Sequence, residues 1–240
     1  MAYHGYNNLI AEFAASFVIP KVLEIGVDKG QALFPITNYF SKLCGNENEN
    51  RTFIYTGVDI VVREHVNIAS TYINQSNMQG PNQVGLIELI ESNSLEALPA
   101  LISRGSKYSA VLIDGDHNYH TVSRELNFAL ELVSDGGIIV CDDYDGEGGS
   151  QDEYFSEHPN FYNDSEKNEN FYNLISRQEQ QDNNKVGVKG AVDEFLINNP
   201  DWSKYKFFSD EPVVLYNKKY TDMNTGMYDG HPSMVWKFKF

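Results

Sequence analysis

A doubly wound α/β sheet of seven strands, mostly parallel with an antiparallel C-terminal strand and helices on both faces, is the architecture this sequence predicts. Three observations predict it. Five short apolar runs alternate with segments of helical spacing, the pattern of parallel strands buried on both faces. Each run also ends on an acid or amide: KVLEIG on Glu24, FIYTGVDI on Asp59, LIELIESNS on Asn93, AVLIDGDH on Asp114, and IIVCDDYD on Asp142 and Asp143. The alternation breaks only near the C-terminus, where two strand-like runs follow one another.

Taken in order, residues 6–18 (YNNLIAEFAASFV) have helical apolar spacing, and Pro20 ends this cap helix before the first strand. After Gly30, QALFPITNYFSKLCG reads as the first crossover helix, closed by Gly45, and NENENR as a surface loop. Residues 63–78 read as a helix that MQGPNQ breaks. The third strand spans 84–91, and Ser94 is placed to cap a helix through SLEALPALISRG. The fourth strand is 109–113. The helix YHTVSRELNFALELVS runs into Asp135-Gly136-Gly137, a stop signal, so the fifth strand is expected to begin at Ile138. VKGAVDEFLINN gives a further helix, and YKFFSD and PVVLYNKK give two strands joined at Glu211-Pro212. The expectation is one domain over 1–240. It carries an acidic, lid-like insertion at about 145–183 and a tail from 219, whose WKFKF end reads as an extra edge strand or a subunit contact in a homo-oligomer.

Charge and composition exclude several classes. The net charge of −16 argues against a nucleic-acid backbone as partner, because that affinity needs Lys and Arg against phosphate. No run approaches the roughly 18 apolar residues of a membrane span. The N-terminus MAYHGYNNLIAEF lacks the basic start and apolar core of a signal peptide, so a cytoplasmic protein is expected. The two cysteines, Cys44 and Cys141, do not read as a disulfide framework. Residues 145–183 hold ten acids against Lys167 and Arg177, with aromatic residues over 154–172 that could cover an acceptor.

In an open α/β sheet, ligands bind where the carboxyl ends of the strands emerge, so the terminal acids share one edge. A row of carboxylates there suits hydroxyls, amines, positive charge or a bound cation, and repels phosphate. The turn Glu24-Ile-Gly26-Val-Asp28-Lys-Gly30 has two glycines that let a ligand approach the backbone. It is not the three-glycine dinucleotide fingerprint, and an acid lies within it.

With the other strand ends included, residues 20–217 resemble the class I S-adenosylmethionine-dependent methyltransferases, a Rossmann-like fold. VLEIGVDKG resembles their first motif and TGVDI the second, whose acid binds the ribose. ESNSLEALP resembles the segment that supports the adenine, with Asn93 where many relatives place an acid. The resemblance implies cofactor contacts at Glu24, Gly26, Asp28, Gly30, Asp59, Asn93, Ser94 and Asp114. LIDGDHNYHTVSRELNFALELVSDGGIIVCDDYD with VGVKGAVDEF resembles the O-methyltransferases that act on sugars and natural products, some of which need Mg²⁺. That implies metal ligands at Asp114, Asp142 and Asp143, for Mg²⁺ or Mn²⁺. It also implies His117 as the base, acting beside Asp114 on a small hydroxylated acceptor.

Plainer readings stay open beside these. Glu24 and Asp59 can satisfy backbone amides; the three later acids can form a solvated rim, with Asp142 alone in the site; His117, expected at the start of a helix, can cap it or bond Asp142. Asp116 is expected to face solvent. A dinucleotide-dependent oxidoreductase and a catalytically silent cofactor-binding relative are the other function classes. The missing third glycine weighs against the former and the five acid-bearing or amide-bearing strand ends against the latter.

Overall fold

Every residue of the strand Tyr108–Ile113 is buried, as a strand covered on both faces requires. The computed structural model describes residues 3–44, 51–79, 85–146, 149–152, 186–206, 212–222, 227–228 and 231–232. In chain order these form α1 (Tyr3–Ala14), β1 (Lys21–Ile25), α2 (Leu33–Cys44), β2 (Phe53–Asp59), α3 (Glu64–Gln79), β3 (Gly85–Glu91), α4 (Ser94–Ser103), β4 (Tyr108–Ile113), α5 (Tyr119–Leu132) and β5 (Val133–Cys141). Then come α6 (Gly187–Asn198), β6 (Trp202–Lys206) and β7 (Val213–Asn217).

The seven strands lie in the order β3-β2-β1-β4-β5-β7-β6. β1 to β5 are parallel, and β7 runs antiparallel to both of its neighbours. Alternate residues face opposite layers. Val22, Tyr55, Ala110, Leu112, Ile138 and Val140 pack with side chains of α1, α2 and α3. Leu23, Ile25, Val111, Ile113, Ile139 and Cys141 pack with α4, α5 and α6. The helices supply matching stripes: α2 buries Leu33, Ile36, Thr37, Phe40 and Cys44, the spacing of one helical face. The fold expected from the sequence is therefore the fold observed. The chain leaves β1 toward β2 on one side and meets β4 on the other, so the switch point of the sheet lies between β1 and β4.

Several local expectations are corrected. Helix α4 is capped by Asn93, whose Oδ1 accepts from the Leu95 amide at 2.8 Å; Ser94 is its first residue. Helix α5 passes straight into β5 at Val133, which pairs with Tyr108, five residues before Ile138 pairs with Ala110. The Gly136-Gly137 stretch is thus an irregularity inside the strand pairing. A Cβ on Gly137 would lie 2.8 Å from the Ser109 carbonyl oxygen, so that glycine serves close packing. The tail forms its own ribbon of two-residue strands, β8 (Thr221–Asp222), β9 (Met227–Tyr228) and β10 (His231–Pro232), separate from the main sheet. Residues 147–148 and 153–183 of the acidic insertion, with the aromatic residues expected to cover an acceptor, lie outside the described residues, as does WKFKF. Cys44 and Cys141 are both buried. No helix among the described residues is long and apolar enough to cross a membrane.

Two polar side chains shape the stability of this frame. Asn74 of α3 lies over the terminal strand β3, donating to the Ile87 carbonyl at 2.7 Å and accepting from the Ile87 amide at 2.7 Å. It satisfies backbone groups that an edge strand otherwise offers to another chain. Glu125 of α5 is 1% exposed, in line with Val122, Leu126, Ala129 and Leu132 on the helix's buried face. Burial raises its carboxyl from near 4.5 to about 8, against a hydrogen bond from Ser94. Asn74→Ala should cost about 1–2 kcal/mol in urea unfolding, the cost of stripping partners from partly buried backbone groups, and should increase self-association measured by light scattering. The folded chain holds a proton on Glu125 that the unfolded chain releases, so stability should fall as pH rises from about 4.5 toward about 8. Glu125→Gln should flatten that slope in denaturant titrations run across the same range.

Candidate active site

The turn after β1 is held from three directions. The Gly26 amide donates to the Val58 carbonyl at 2.9 Å, and Gly30 donates to Val27 at 2.7 Å to close the turn. The Val27 and Asp28 amides both donate to Asp59 Oδ2, at 2.7 and 2.8 Å, while Val61 donates to Oδ1 at 3.0 Å. Gly26 has φ +87°, and a Cβ there would lie 2.1 Å from the Asp114 carbonyl oxygen. Its missing side chain thus admits the chain leaving β4, whereas the sequence suggested a ligand alone. Asp28, also at positive φ, pairs with Arg63 Nε at 2.6 Å.

Behind the turn, Glu24 is 2% exposed and accepts from the Tyr55 hydroxyl at 2.6 Å. Burial pushes its carboxyl well above the usual carboxylate range, against the bond from Tyr55, and the charges of Asp114, Asp59 and Asp28 push it further. Burial likewise raises Asp59, offset in part by its backbone amide bonds. At the end of β3, the Asn93 carboxamide oxygen caps α4, which begins at Ser94. An open groove of about 590 Å³ lies beside Asp28 and Asp59, lined by residues that include Lys29, Val61, Val62, Arg63, His65 and Glu91. Arg63 belongs to no sequence motif; only the fold brings it here.

The second half of the site is built on β4 and β5. Asp114 donates its amide to Ile25 at 2.9 Å, and Asp142 donates to Ile113 at 3.0 Å, so both acids emerge at one level of adjacent strands. His117 is 7% exposed, with Nδ1 3.0 Å from Asp143 Oδ2 and Nε2 3.6 Å from Asp114 Oδ1. Burial alone would lower its pKa, but the carboxylates of Asp114 and Asp143 raise it to about 10. Asp143, at φ +51°, is held below the usual carboxylate range by that imidazole, despite its own burial. His117 therefore bonds Asp143, where the sequence offered Asp142. It also precedes the helix, which Asn118 caps through the Thr121 amide at 2.8 Å.

Asp116 does not face solvent. It is 8% exposed, and its Oδ2 accepts from the Asn118 amide group and, at 3.1 Å, from the Thr121 hydroxyl, which fixes the turn that presents His117. Asp152 Oδ1 accepts from the Tyr119 amide at 2.7 Å and the Gly187 amide at 2.8 Å, joining the N-termini of α5 and α6. Tyr6 of the cap helix reaches the same edge, its hydroxyl 3.5 Å from Asp142 Oδ1. The sequence placed that residue in an apolar stripe without a role.

Asp114, Asp142 and Asp143 are oxygen donors of the kind a hard divalent cation takes, at the ends of neighbouring strands. The donor chemistry fits such an ion. Among the described residues, however, no three His, Cys, Asp or Glu side chains are already gathered for coordination. Asp143 is engaged by His117 and Asp142 by Tyr6.

The sequence pattern of the methyltransferase domain matches residues 23–144, from within β1 through β5, including Glu24, Asp28, Asp59, Asp114, Asp142 and Asp143. No curated protein matches the chain. Among solved structures, the apo form of CalS11, TDP-rhamnose 3'-O-methyltransferase, an enzyme in calicheamicin biosynthesis, is 12% identical with a TM-score of 0.51 over 89% of this chain and 77% of that one. MycE methyltransferase from the mycinamycin biosynthetic pathway, in complex with Mg and SAH, is 15% identical with a TM-score of 0.50 over 88% of this chain. This chain spans 48% of that one, about half its length. These likenesses are of fold. Because the domain pattern covers just over half of the sequence, and the sheet order and strand-end acids lie within it, the chain belongs to the methyltransferase-domain family and folds as its class I, S-adenosylmethionine-dependent members do.

Proposed function

We propose that this chain transfers a methyl group from S-adenosylmethionine to an oxygen of a small hydroxylated molecule, of the sugar or natural-product kind. One observation carries the reading: the buried carboxyl of Glu24 lies within charge reach of Asp114, Asp59 and Asp28 around the Gly26 turn. Four acids in a partly dry cleft call for a cationic ligand and disfavour a pyrophosphate. S-adenosylmethionine carries both a sulfonium and an ammonium group, and supplies the methyl group on the sulfonium.

The residues then divide the work. Glu24, Gly26, Asp28 and Gly30 receive the amino-acid end of the cofactor. Asp59 receives the ribose while keeping its grip on the turn, since a carboxylate can accept about four bonds and three are in use. Asn93 and Ser94 support the adenine. His117 faces the acceptor, with Asp114 and Asp143 orienting the ring, and takes its proton once the imidazole is neutral; those two carboxylates hold it charged up to about pH 10, and a divalent cation shared with them would lower that value. A divalent ion would be held by Asp114, Asp142 and Asp143 and would make an acceptor hydroxyl easier to deprotonate. Alignment of acceptor oxygen with the methyl–sulfur axis is the larger contribution, up to about 7–11 kcal/mol in favourable cases, against about 10²–10⁴-fold for one base. CalS11 is described as acting on a sugar nucleotide, which supports the acceptor class named here.

Calorimetry should show S-adenosylhomocysteine binding in the micromolar range and no comparable binding of NAD. Asp59→Ala should weaken that binding by roughly tenfold or more, the scale of charge-assisted hydrogen bonds. Unchanged affinity in a folded Asp59→Ala protein would remove the ribose assignment. With an acceptor in hand, His117→Ala should lower turnover by about 10²-fold or more at unchanged cofactor affinity. EDTA should lower the rate and Mg²⁺ or Mn²⁺ restore it. A rate indifferent to EDTA, together with an active Asp142→Ala variant, would retire the metal and leave methyl transfer standing.

A further inference from the structure

The buried stripe of α1 is Tyr6, Ile10, Ala11, Phe13 and Ala14, and Asn7 lies within it, 0% exposed. A leucine would fill that position without the cost of desolvating a carboxamide. Half of the group is satisfied: Nδ2 donates to the Gln31 carbonyl at 3.1 Å. The other half is not, because Oδ1 is buried with no hydrogen-bond partner among the described residues. Its place in the fold is the cofactor side of the cleft. Gln31 follows Gly30, which sits at φ +77° and closes the turn after β1 by donating to the Val27 carbonyl at 2.7 Å. The two heteroatoms of a carboxamide share one carbon, so Oδ1 is held beside the end of that turn. The preceding residue brings the same stretch of α1 to the edge where the strand-end acids emerge, since the Tyr6 hydroxyl lies 3.5 Å from Asp142 Oδ1.

We propose that Asn7 is a cofactor-binding residue, whose Oδ1 accepts a hydrogen bond from the ammonium group of S-adenosylmethionine while Nδ2 fixes the end of the turn. The inference rests on the cofactor reading above and adds to it a residue from outside the methyltransferase-domain pattern, which begins at residue 23. The chemistry selects the ammonium. An orphaned acceptor needs a donor, and the amino-acid end of the cofactor offers three N–H groups there, whereas its carboxylate only accepts and its sulfonium has no N–H or O–H. The ribose hydroxyls are taken at Asp59, on the β2 side of the turn. A neutral oxygen also suits this place, because it directs an ammonium without adding another carboxylate to the Asp28, Asp59 and Asp114 charges that already raise the cost of ionising Glu24.

Calorimetry on the full chain with two ligands tests this: S-adenosylhomocysteine, which has the amino-acid end, and methylthioadenosine, which keeps adenine, ribose and sulfur but lacks it. Asn7→Leu should weaken S-adenosylhomocysteine by about tenfold, the scale of a hydrogen bond to a charged donor, and leave methylthioadenosine within about twofold of the wild type. Asn7→Asp, which keeps an acceptor oxygen in either protonation state, should retain the wild-type preference for S-adenosylhomocysteine. Equal losses of both ligands in Asn7→Leu, or no loss of either, would overturn the proposal and leave Oδ1 to a buried water. An Asn7→Asp protein that loses the preference as Asn7→Leu does would overturn it as well, because the bond to Gln31 is then what matters. If Asn7→Leu does not fold, heteronuclear NMR of the wild-type chain decides. The Asn7 side-chain amide signals should shift with S-adenosylhomocysteine and stay in place with methylthioadenosine, and equal shifts overturn the assignment. A wild-type chain that binds neither ligand removes the cofactor reading as well; one that binds both equally removes the Asn7 contact alone.

Discussion

The two halves of the cleft touch because residue 26 has no side chain. The chain leaving β1 and the chain leaving β4 cross at the switch point of the sheet, with the Asp114 carbonyl oxygen 2.1 Å from where a Cβ on Gly26 would stand. The Asp114 amide in turn bonds Ile25, and the Gly26 amide bonds Val58. Three strands are thereby locked in register at the level where their acids emerge. Any side chain at 26 would push the β4 loop, and with it Asp114 and His117, away from the β1 turn. The spacing between the β1 turn and the turn that carries His117 is set by backbone packing.

That closeness explains the electrostatics. Glu24, Asp28, Asp59 and Asp114 come from three strand ends and meet here, where the other three raise the cost of ionising the buried Glu24. The protein offsets part of this charge with its own cations. Arg63 pairs with Asp28, and His117 sits between Asp114 and Asp143. Glu24 is left with a neutral donor, the Tyr55 hydroxyl, in a buried position. Near the β1 turn Glu24 is thus held by a neutral donor, while Asp114 and Asp143 at the ends of β4 and β5 have the imidazole between them.

The sheet and the acids were legible from the sequence because burial on both faces leaves a run of apolar residues, and a run must stop where the strand meets solvent or ligand. The misreadings arose where partners are remote in sequence. Asn93 and Ser94 are both good caps, and only the helix geometry chooses between them. Gly136-Gly137 looks like a stop because glycine commonly ends helices, yet Val133 already pairs with Tyr108, a contact invisible from local pattern. Asp116 lies between a glycine and a histidine in an evident loop, and its burial depends on Asn118 and Thr121 turning back onto it. Glu125 did leave a signal, an acid on the apolar stripe at 122, 125, 126 and 129, but such a residue is more often read as a solvated edge of the helix. Tyr6 left none, since a tyrosine at the start of an apolar stripe is ordinary core.

The bridge made by Asp152 has a consequence for how this chain can vary. One carboxylate oxygen receives both the Tyr119 and Gly187 amides, so Asp152 and Gly187, far apart in sequence, meet at the start of α5 and α6. The two ends of the intervening sequence are thus held together by the rest of the domain. Closing such a loop costs only about 0.6 kcal/mol more for each doubling of its length. A change in the length of sequence between these two anchors is thus cheap for the scaffold, and the anchors themselves lie at the start of the helix that follows His117. A single anchoring aspartate gives this fold a port at which new recognition sequence can be tried without rebuilding the sheet.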